Sequence, residues 1–341
     1  MRFVFLIALL VFAFPAFASS IKSDEEIIFF RTAARQGPEA GTWIIPVHAW
    51  VFEPEEGSGM RSAAIAAMAY ELELGDNAAT SAIFSRMARW FLVDNESGKS
   101  FTTSIGPDKV GPTGAHGRAM REMTVTITDG FEGGVFSYNA DVPGRDFKGE
   151  AVLVPQAGVS VISDIDDTIK ISEVLDKKKL MQNTFLKEYA AAPGMAEAYK
   201  RLAAEKVAFH YLSSSPWQLY PALVSFMDGA GYPKGSFHMR DFRMKDETVL
   251  NVMKSSLETK PPGIRKLLDD YPQRQFILIG DSGEKDPEIY GLIAREYPGR
   301  VKHIYIRKVT TEDAADARYK TAFEGSNVPF TLFEDASVIK P

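Results

Sequence analysis

The 341-residue chain contains no cysteine. That excludes disulfides, thiolate metal centres and lipid attachment through a thiol. Positive charge is also scarce: 39 Lys and Arg face 45 Asp and Glu, for a net charge of −6. With no long basic stripe, a general nucleic-acid binder is excluded. The five histidines are scattered and lack the i, i+4 spacing of a zinc helix. There is no glycine-rich loop of the nucleoside-triphosphate type and no internal repeat. The only long apolar run is near the start, in "MRFVFLIALLVFAFPAFASS". It is shorter than the ~20 residues a membrane span needs and is broken by Pro15. With Arg2 before it and Ala16-Phe17-Ala18 after it, residues 1–18 read as a secretory signal peptide, and the expected location is periplasmic or secreted.

What is present falls into two halves. Residues 42–52, 89–94, 122–128, 134–142 and 150–155 are β-branched or aromatic runs bounded by turn residues. An Ala-rich stretch over 60–74 predicts one helix among them. This half, 19–156, is expected to be a β-rich, sandwich-like domain. From 157 to 341 the grammar changes. Strands are predicted at 159–163, 207–212, 276–280 and 301–306. Helices are predicted near 194–205, 217–229, 262–270, 286–296 and 312–323. Such alternation predicts an α/β domain with a doubly wound, mostly parallel sheet, joined to the first half through the loop "PQAG". Ligands of such sheets bind at the carboxyl ends of the strands.

Polar residues of different kinds gather at those ends. "ISDIDDTIKIS" (162–172) carries Asp164, Asp166 and Asp167, all within four positions of one another at the tip of a buried strand. Uncompensated, each carboxylate withdrawn from water costs several kcal/mol, so a cation or a reaction must explain them. The second strand runs into Ser213-Ser214-Ser215. The third runs into "GDSGEKD", which holds Asp281 and Asp286, and Lys260 sits before the helix leading into that strand. Singly, Asp and Ser are ordinary helix caps. Jointly they form a constellation with a chemical reading.

These elements resemble the four signatures of the haloacid-dehalogenase-like phosphatases. More narrowly, "SDIDDTIKISEV", "NTFLKEYAAAPGMAEAY", "YLSSSPWQLY", "SFHMRDFR" and "FILIGDSGEKDPEIY" resemble the catalytic domain of the yeast actin-patch type of phosphatidate phosphatase. The resemblance covers about 160–308 and is faint upstream. It implies a Mg²⁺-dependent phosphatase in which Asp164 is the nucleophile and forms an aspartyl-phosphate. Asp166 would be the acid and then the base, Ser213 and Lys260 would hold the phosphoryl oxygens, and Asp281 with Asp286 would bind the metal. Asp164 and the backbone carbonyl of Asp166 would complete the metal set. The chemistry agrees, because a phosphate dianion repels a carboxylate nucleophile until a hard cation neutralises both. Asp167 and Thr168 read as structural.

Only 25 residues separate Thr168 from Gly194, and fewer separate Arg243 from Lys260. Neither insertion could form a domain of its own, so the cap is minimal and the site open. That suits a phosphorylated lipid. The segment "IKISEVLDKKKLMQNTFLKEY", with Lys170, Lys177, Lys178, Lys179 and Lys187 among Leu175, Leu180, Met181, Phe185 and Leu186, is either a peripheral membrane contact or a solvated helix face. Arg240 and Arg243 are further candidates for a substrate phosphate. Three readings follow: phosphatidate phosphatase, exported phosphatase for small soluble phosphomonoesters, or non-catalytic binding protein led by the β half.

Overall fold

The computed structural model describes residues 19–54, 59–75, 77–127, 134–241 and 256–341. Residues 1–18, read above as a signal peptide, and Arg243 lie outside them.

The N-terminal half contains β1 (Glu26–Phe30), β2 (Thr32–Gln36), β3 (Thr42–Glu53), β4 (Asp94–Asn95), β5 (Phe101–Thr103), β6 (Gly106–Val110), β7 (Arg118–Thr126), β8 (Val135–Asn139) and β9 (Lys148–Val154). The long strand β3 is its spine. On one side it pairs with β7 along 42–50, and on the other with β1 along 48–52 and with β2 at 43–44. Pro46, which has no N–H to give, falls in the gap between the β1 and β2 pairings. β2 then pairs in parallel with β9, and β9 antiparallel with β8. The expected sandwich of two packed sheets is therefore replaced by one mixed seven-stranded sheet. The ribbon β5–β6 is tied to the end of β8 through Asp141 N to Thr102 O and Ser104 N to Asn139 O, both 2.9 Å. Alternation tells which side chains face inward but not which edges pair, and β2 and β9 are far apart in sequence. The strand expected at 89–94 is also corrected. Arg89–Phe91 is a single 3₁₀ turn following α2 (Ala82–Ala88), the second helix after α1 (Gly59–Glu71). Phe91 packs edge-on to Phe185 at 5.7 Å. An unalternating aromatic run suits a buried turn as well as a strand.

The C-terminal half alternates as expected. In chain order it comprises β10 (Gly158–Asp164), α3 (Lys177–Phe185), α4 (Met195–Ala204), β11 (Ala208–Pro216), α5 (Tyr220–Ala230), β12 (Ser236–Arg240), α6 (Ser256–Asp270), β13 (Arg274–Asp281), α7 (Asp286–Glu296), β14 (Val301–Arg307), α8 (Ala317–Phe323) and β15 (Phe330–Phe333). The six strands are all parallel, in the order β12-β11-β10-β13-β14-β15. From β10 the chain winds one way to β12, and from β13 it winds the other way to β15. The direction of winding switches between β10 and β13, where such sheets open a crevice beyond the strand ends. Asp164 ends β10 and Asp281 ends β13. The interior of both strands is buried and mostly apolar, with Ser160 and Ser163 of β10 hydrogen-bonded, so their last residues are held in place.

The halves share a core. The Phe30 ring lies 4.2 Å from that of Trp217 and 5.0 Å from that of Tyr220. Arg31 N donates to Tyr220 Oη at 2.9 Å, and its guanidinium pairs with Glu150 at 2.9 Å and Asp228 at 3.0 Å. The joining loop is clamped by Arg274, which is buried and donates to the carbonyls of Pro155, Ala157 and Val159 and, at 2.8 Å, to Ser160 Oγ. Burial lowers this guanidinium to about 10.

Replacing Arg274 with Met would leave those carbonyls unsatisfied. Arg274→Met should destabilise the protein by about 3–5 kcal/mol, since charged hydrogen bonds contribute ~1.5–3 kcal/mol each and do not add fully. Urea unfolding measures this, and a loss under about 1 kcal/mol would mean that the clamp is dispensable.

Candidate active site

The strand ends deliver three carboxylates to one place. Asp164, Asp281 and Asp286 each offer an oxygen within 4.8 Å of the others, and all three are buried. Asp286 opens α7, which brings it back against the end of β13: its Oδ2 accepts from Asp281 N at 3.2 Å. Gly280 makes this approach possible, because a Cβ there would stand 2.7 Å from Asp286 Cγ. Asp281 Oδ1 accepts from the N–H groups of Gly283 (2.6 Å) and Glu284 (3.0 Å), which fixes the turn. Thr168 donates to Asp164 Oδ2 at 2.8 Å. Asp167 has φ +54° and turns away from the cluster. It accepts from the backbone N–H groups of Ser172, Glu173 and Val174 and so shapes the loop after β10.

Lys260 sits inside the cluster. Its ammonium lies 2.8 Å from Asp164 Oδ1, 2.5 Å from Asp286 Oδ1 and 2.8 Å from Glu284 Oε2, and only 1% of the residue is exposed. Lys260 was expected ahead of the helix. Instead α6 starts at Ser256 and carries Lys260 in its second turn, with Pro261 and Pro262 following inside the helix. The helix start was misread because a proline pair normally marks a boundary; here the first turn precedes it.

One ammonium does not balance this many carboxylates. Burial raises Asp164, Asp281 and Glu284 above the ordinary carboxylate range; repulsion from Asp286 and from one another adds to this, with Lys260 opposing. Lys260 itself is held well above its usual value, because its carboxylate partners outweigh burial. Asp281 Oδ2 is buried and has no hydrogen-bond partner among the described residues. An orphaned carboxylate oxygen facing two further carboxylates, in an all-oxygen set, fits a hard divalent cation.

Asp166 lies outside this set. Its carboxylate pairs with Lys170 at 2.8 Å and accepts from Ser172 Oγ at 2.7 Å, Ser213 Oγ at 3.3 Å and Ser215 Oγ at 3.2 Å. Burial pushes it up, but Lys170 and Ser172 more than offset this, and it falls below its usual range. The three carboxylates expected to bind the metal, Asp164, Asp281 and Asp286, are thus the three that the fold brings together, and Asp166, expected to contribute only its backbone carbonyl, keeps its carboxylate apart. Ser213 stands with Asp166, and Lys260 with Asp164.

Lys170, Ser172, Ser215 and Glu284 were not singled out for the site from sequence. Lys170 had been grouped with the basic flap, and that grouping is corrected. Lys170 is only 2% exposed and is committed to Asp166, while Leu180, Met181 and Phe185 face the core. Lys179 pairs with Glu173 and Lys187 donates to Asn183. Leu175 and Ile171 are the apolar side chains left exposed in this segment, so the flap presents little apolar surface. Arg240 donates to Ser214 O at 3.2 Å, at the edge of the site.

Residues 159–308 match the family described as phosphatidate phosphatase APP1, catalytic domain. Phosphatidate phosphatase APP1 of Saccharomyces cerevisiae is 35% identical over 161 residues, which are 46% of this chain and 27% of that protein. An uncharacterised protein of Schizosaccharomyces pombe is 29% identical over 172 residues, 49% of this chain and 28% of the relative. The chain thus spans little more than a quarter of the length of these relatives. Among solved structures, a putative β-phosphoglucomutase from Thermotoga maritima aligns at 13% identity over 53% of this chain and 99% of that one, with a TM-score of 0.31.

The raised carboxylates set a pH dependence. In chelator, Asp164 and Asp281 bind protons more tightly in the folded than in the unfolded chain. What they contribute is complete below the ordinary value of 3.8 and is lost as pH rises through their raised values. Asp166 works the other way, and its contribution is lost only on acidification. With EDTA, the thermal midpoint of Asp281→Asn should therefore gain on that of the wild type as pH rises above the ordinary carboxylate value of 3.8, the buried histidines acting equally in both. A gap between the two midpoints that does not change with pH would contradict the assignment.

Proposed function

From residues 159–308, a catalytic domain of the phosphatidate phosphatase APP1 type, we propose that this chain is a divalent-metal-dependent phosphatase working through an aspartyl-phosphate on Asp164. The observation that carries the reading is the buried trio Asp164, Asp281 and Asp286 at the switch point, with one orphaned oxygen. Asp164, Asp281 and Asp286 would hold Mg²⁺, which supplies the positive charge that lets a phosphate dianion approach a carboxylate.

The residues of the chain divide the chemistry. Asp164 Oδ1 attacks phosphorus, and the bond from phosphorus to the ester oxygen breaks as the new one forms. Lys260 lies 2.8 Å from that oxygen and keeps it oriented, while its ammonium and the Ser213 hydroxyl receive charge spreading onto the phosphoryl oxygens. Asp166 gives a proton to the departing alkoxide. It is ionised beside Lys170 in the free protein. The arriving phosphate dianion raises its proton affinity, as any close like charge does, so that it takes up a proton from solvent as the substrate binds and can then hand it on. Now ionised again, Asp166 takes a proton from the attacking water, inorganic phosphate leaves, and Asp164 is restored.

The substrate proposed first is phosphatidate, giving diacylglycerol. The second is a small soluble phosphomonoester, favoured by the burial of Leu180, Met181 and Phe185, which removes the apolar flap. The export reading of residues 1–18 and the division at about 156/157 belong to the same proposal. Among the described residues no helix is long and apolar enough to cross a membrane.

Turnover should vanish in EDTA and return with Mg²⁺. Asp164→Asn should lower turnover by at least 10⁴-fold, because an amide cannot form the acyl phosphate. Acid quench of the wild type with labelled substrate should trap phosphate on the protein, and the variant should carry none. Label on Asp164→Asn would move the nucleophile elsewhere.

A further inference from the structure

We propose that the cavity between the N-terminal sheet and α6 receives the apolar arm of the phosphate monoester whose phosphate is held at Ser213 and Lys260. The proposal rests on the phosphatase reading and adds a specificity site to it. The cavity measures about 390 Å³. Pro46 and Met120 line it from β3 and β7, Phe237 and Met239 from β12, Trp217 from the turn after β11, and Leu267 from α6. One end reaches the catalytic residues: Ser213 and Thr259 both line it. Ser213 Oγ lies 3.3 Å from Asp166, Thr259 hydrogen-bonds Ser214 at 2.7 Å, and Lys260 follows Thr259 directly. From there the cavity follows one face of α6 through Gly263, Leu267 and Asp270, a rise of about 16 Å at 1.5 Å per residue.

Among the described residues the wall carries four charged groups, each of them engaged. Arg240 donates to the Ser214 carbonyl at 3.2 Å, Lys266 pairs with Asp270 at 2.8 Å, and Glu122 with Arg35 at 2.7 Å. Burial lowers His48 to about 3 and His238 to about 4, so both imidazoles are neutral at physiological pH. Met120 is 60% exposed at the rim, an apolar side chain left in water next to the exposed Arg121 and Glu122. A phosphate at one end, followed by a largely apolar channel whose charged groups are already engaged, selects an amphiphile over a sugar or nucleotide ester.

Calorimetric binding of n-alkylphosphonates to the whole chain with Mg²⁺, below their micelle concentrations, tests this. Affinity should rise about fourfold per added methylene from methyl towards octyl until the cavity is filled. Met239→Trp, which fills the cavity, and Met120→Asp, which places a charge at its mouth, should each flatten that slope at least tenfold at octyl. Urea midpoints of both variants check that they are folded. Octylphosphonate binding no tighter than methylphosphonate, or a slope unchanged in both variants, overturns the proposal. Turnover of a methyl ester without any chain-length slope removes the cavity site and leaves the phosphatase reading standing. The slope without turnover of any ester does the reverse. Dispersed short-chain phosphatidate against phosphatidate in vesicles then tells a free amphiphile from a membrane lipid: Met239→Trp should lower turnover of whichever is the source, and a loss on neither overturns the proposal.

Discussion

A single buried ammonium among carboxylates organises the C-terminal half. Lys260 lies within 2.8 Å of Asp164, Glu284 and Asp286, with Asp281 alongside, and all of these but the half-buried Glu284 are out of reach of water. Each depends on the others for its place. The parallel sheet brings Asp164 and Asp281 together because β10 and β13 are neighbours at the switch point. α7 starts with Asp286, so the carboxylate folds back over Gly280. α6 begins a full turn before its proline pair, which allows Lys260 to reach inward. The deficit of positive charge that remains is a property of the fold itself, and it suits the site to a hard cation.

Asp166 belongs to a separate electrostatic unit, although it is two residues from Asp164. Lys170 and three hydroxyls satisfy it, so it falls below the usual carboxylate range while Asp164 rises above it. Two carboxylates whose environments push them apart can divide nucleophilic and proton-transfer work between them. Asp167 enforces the division: its left-handed backbone turns the chain between the two units, and its carboxylate captures three backbone N–H groups.

Much of the parallel sheet was legible because β10, β11, β13 and β14 are short runs of buried apolar residues ending in Asp, Ser or Arg. The edge strands β12 and β15 were not legible. "SFHMR" and "FTLF" are half exposed and pair on one side alone, so little in their residues differs from loop. In the site, Asp164, Ser213, Lys260, Asp281 and Asp286 could be picked out because each follows a strand or precedes an apolar helix. Lys170 was hidden by company, since a lysine near Lys177-Lys178-Lys179 reads as solvated until the loop after β10 is seen to curl it under Asp166. Glu284 stood in view within "GDSGEKD", but its pairing with Lys260 depends on where α6 starts. The N-terminal sheet was the least legible part, because the parallel pairing of β2 with β9 leaves no local trace.

Arg31 carries a consequence for how the polypeptide can be divided. It sits between β1 and β2, yet its partners are Glu150 on β9, Tyr220 and Asp228 on α5, and Phe237 on β12, whose N–H donates to its carbonyl at 3.0 Å. On a ribosome, residue 31 emerges some two hundred residues before the last of these. Its guanidinium must wait, solvated, until both halves have been made. The shared catalytic region runs from 159 to 308, but its packing does not stop at 159. Excised there, it would present Trp217, Tyr220 and Phe237 to water as an uncovered aromatic face. The stretch shared in sequence is smaller than the unit whose core is closed.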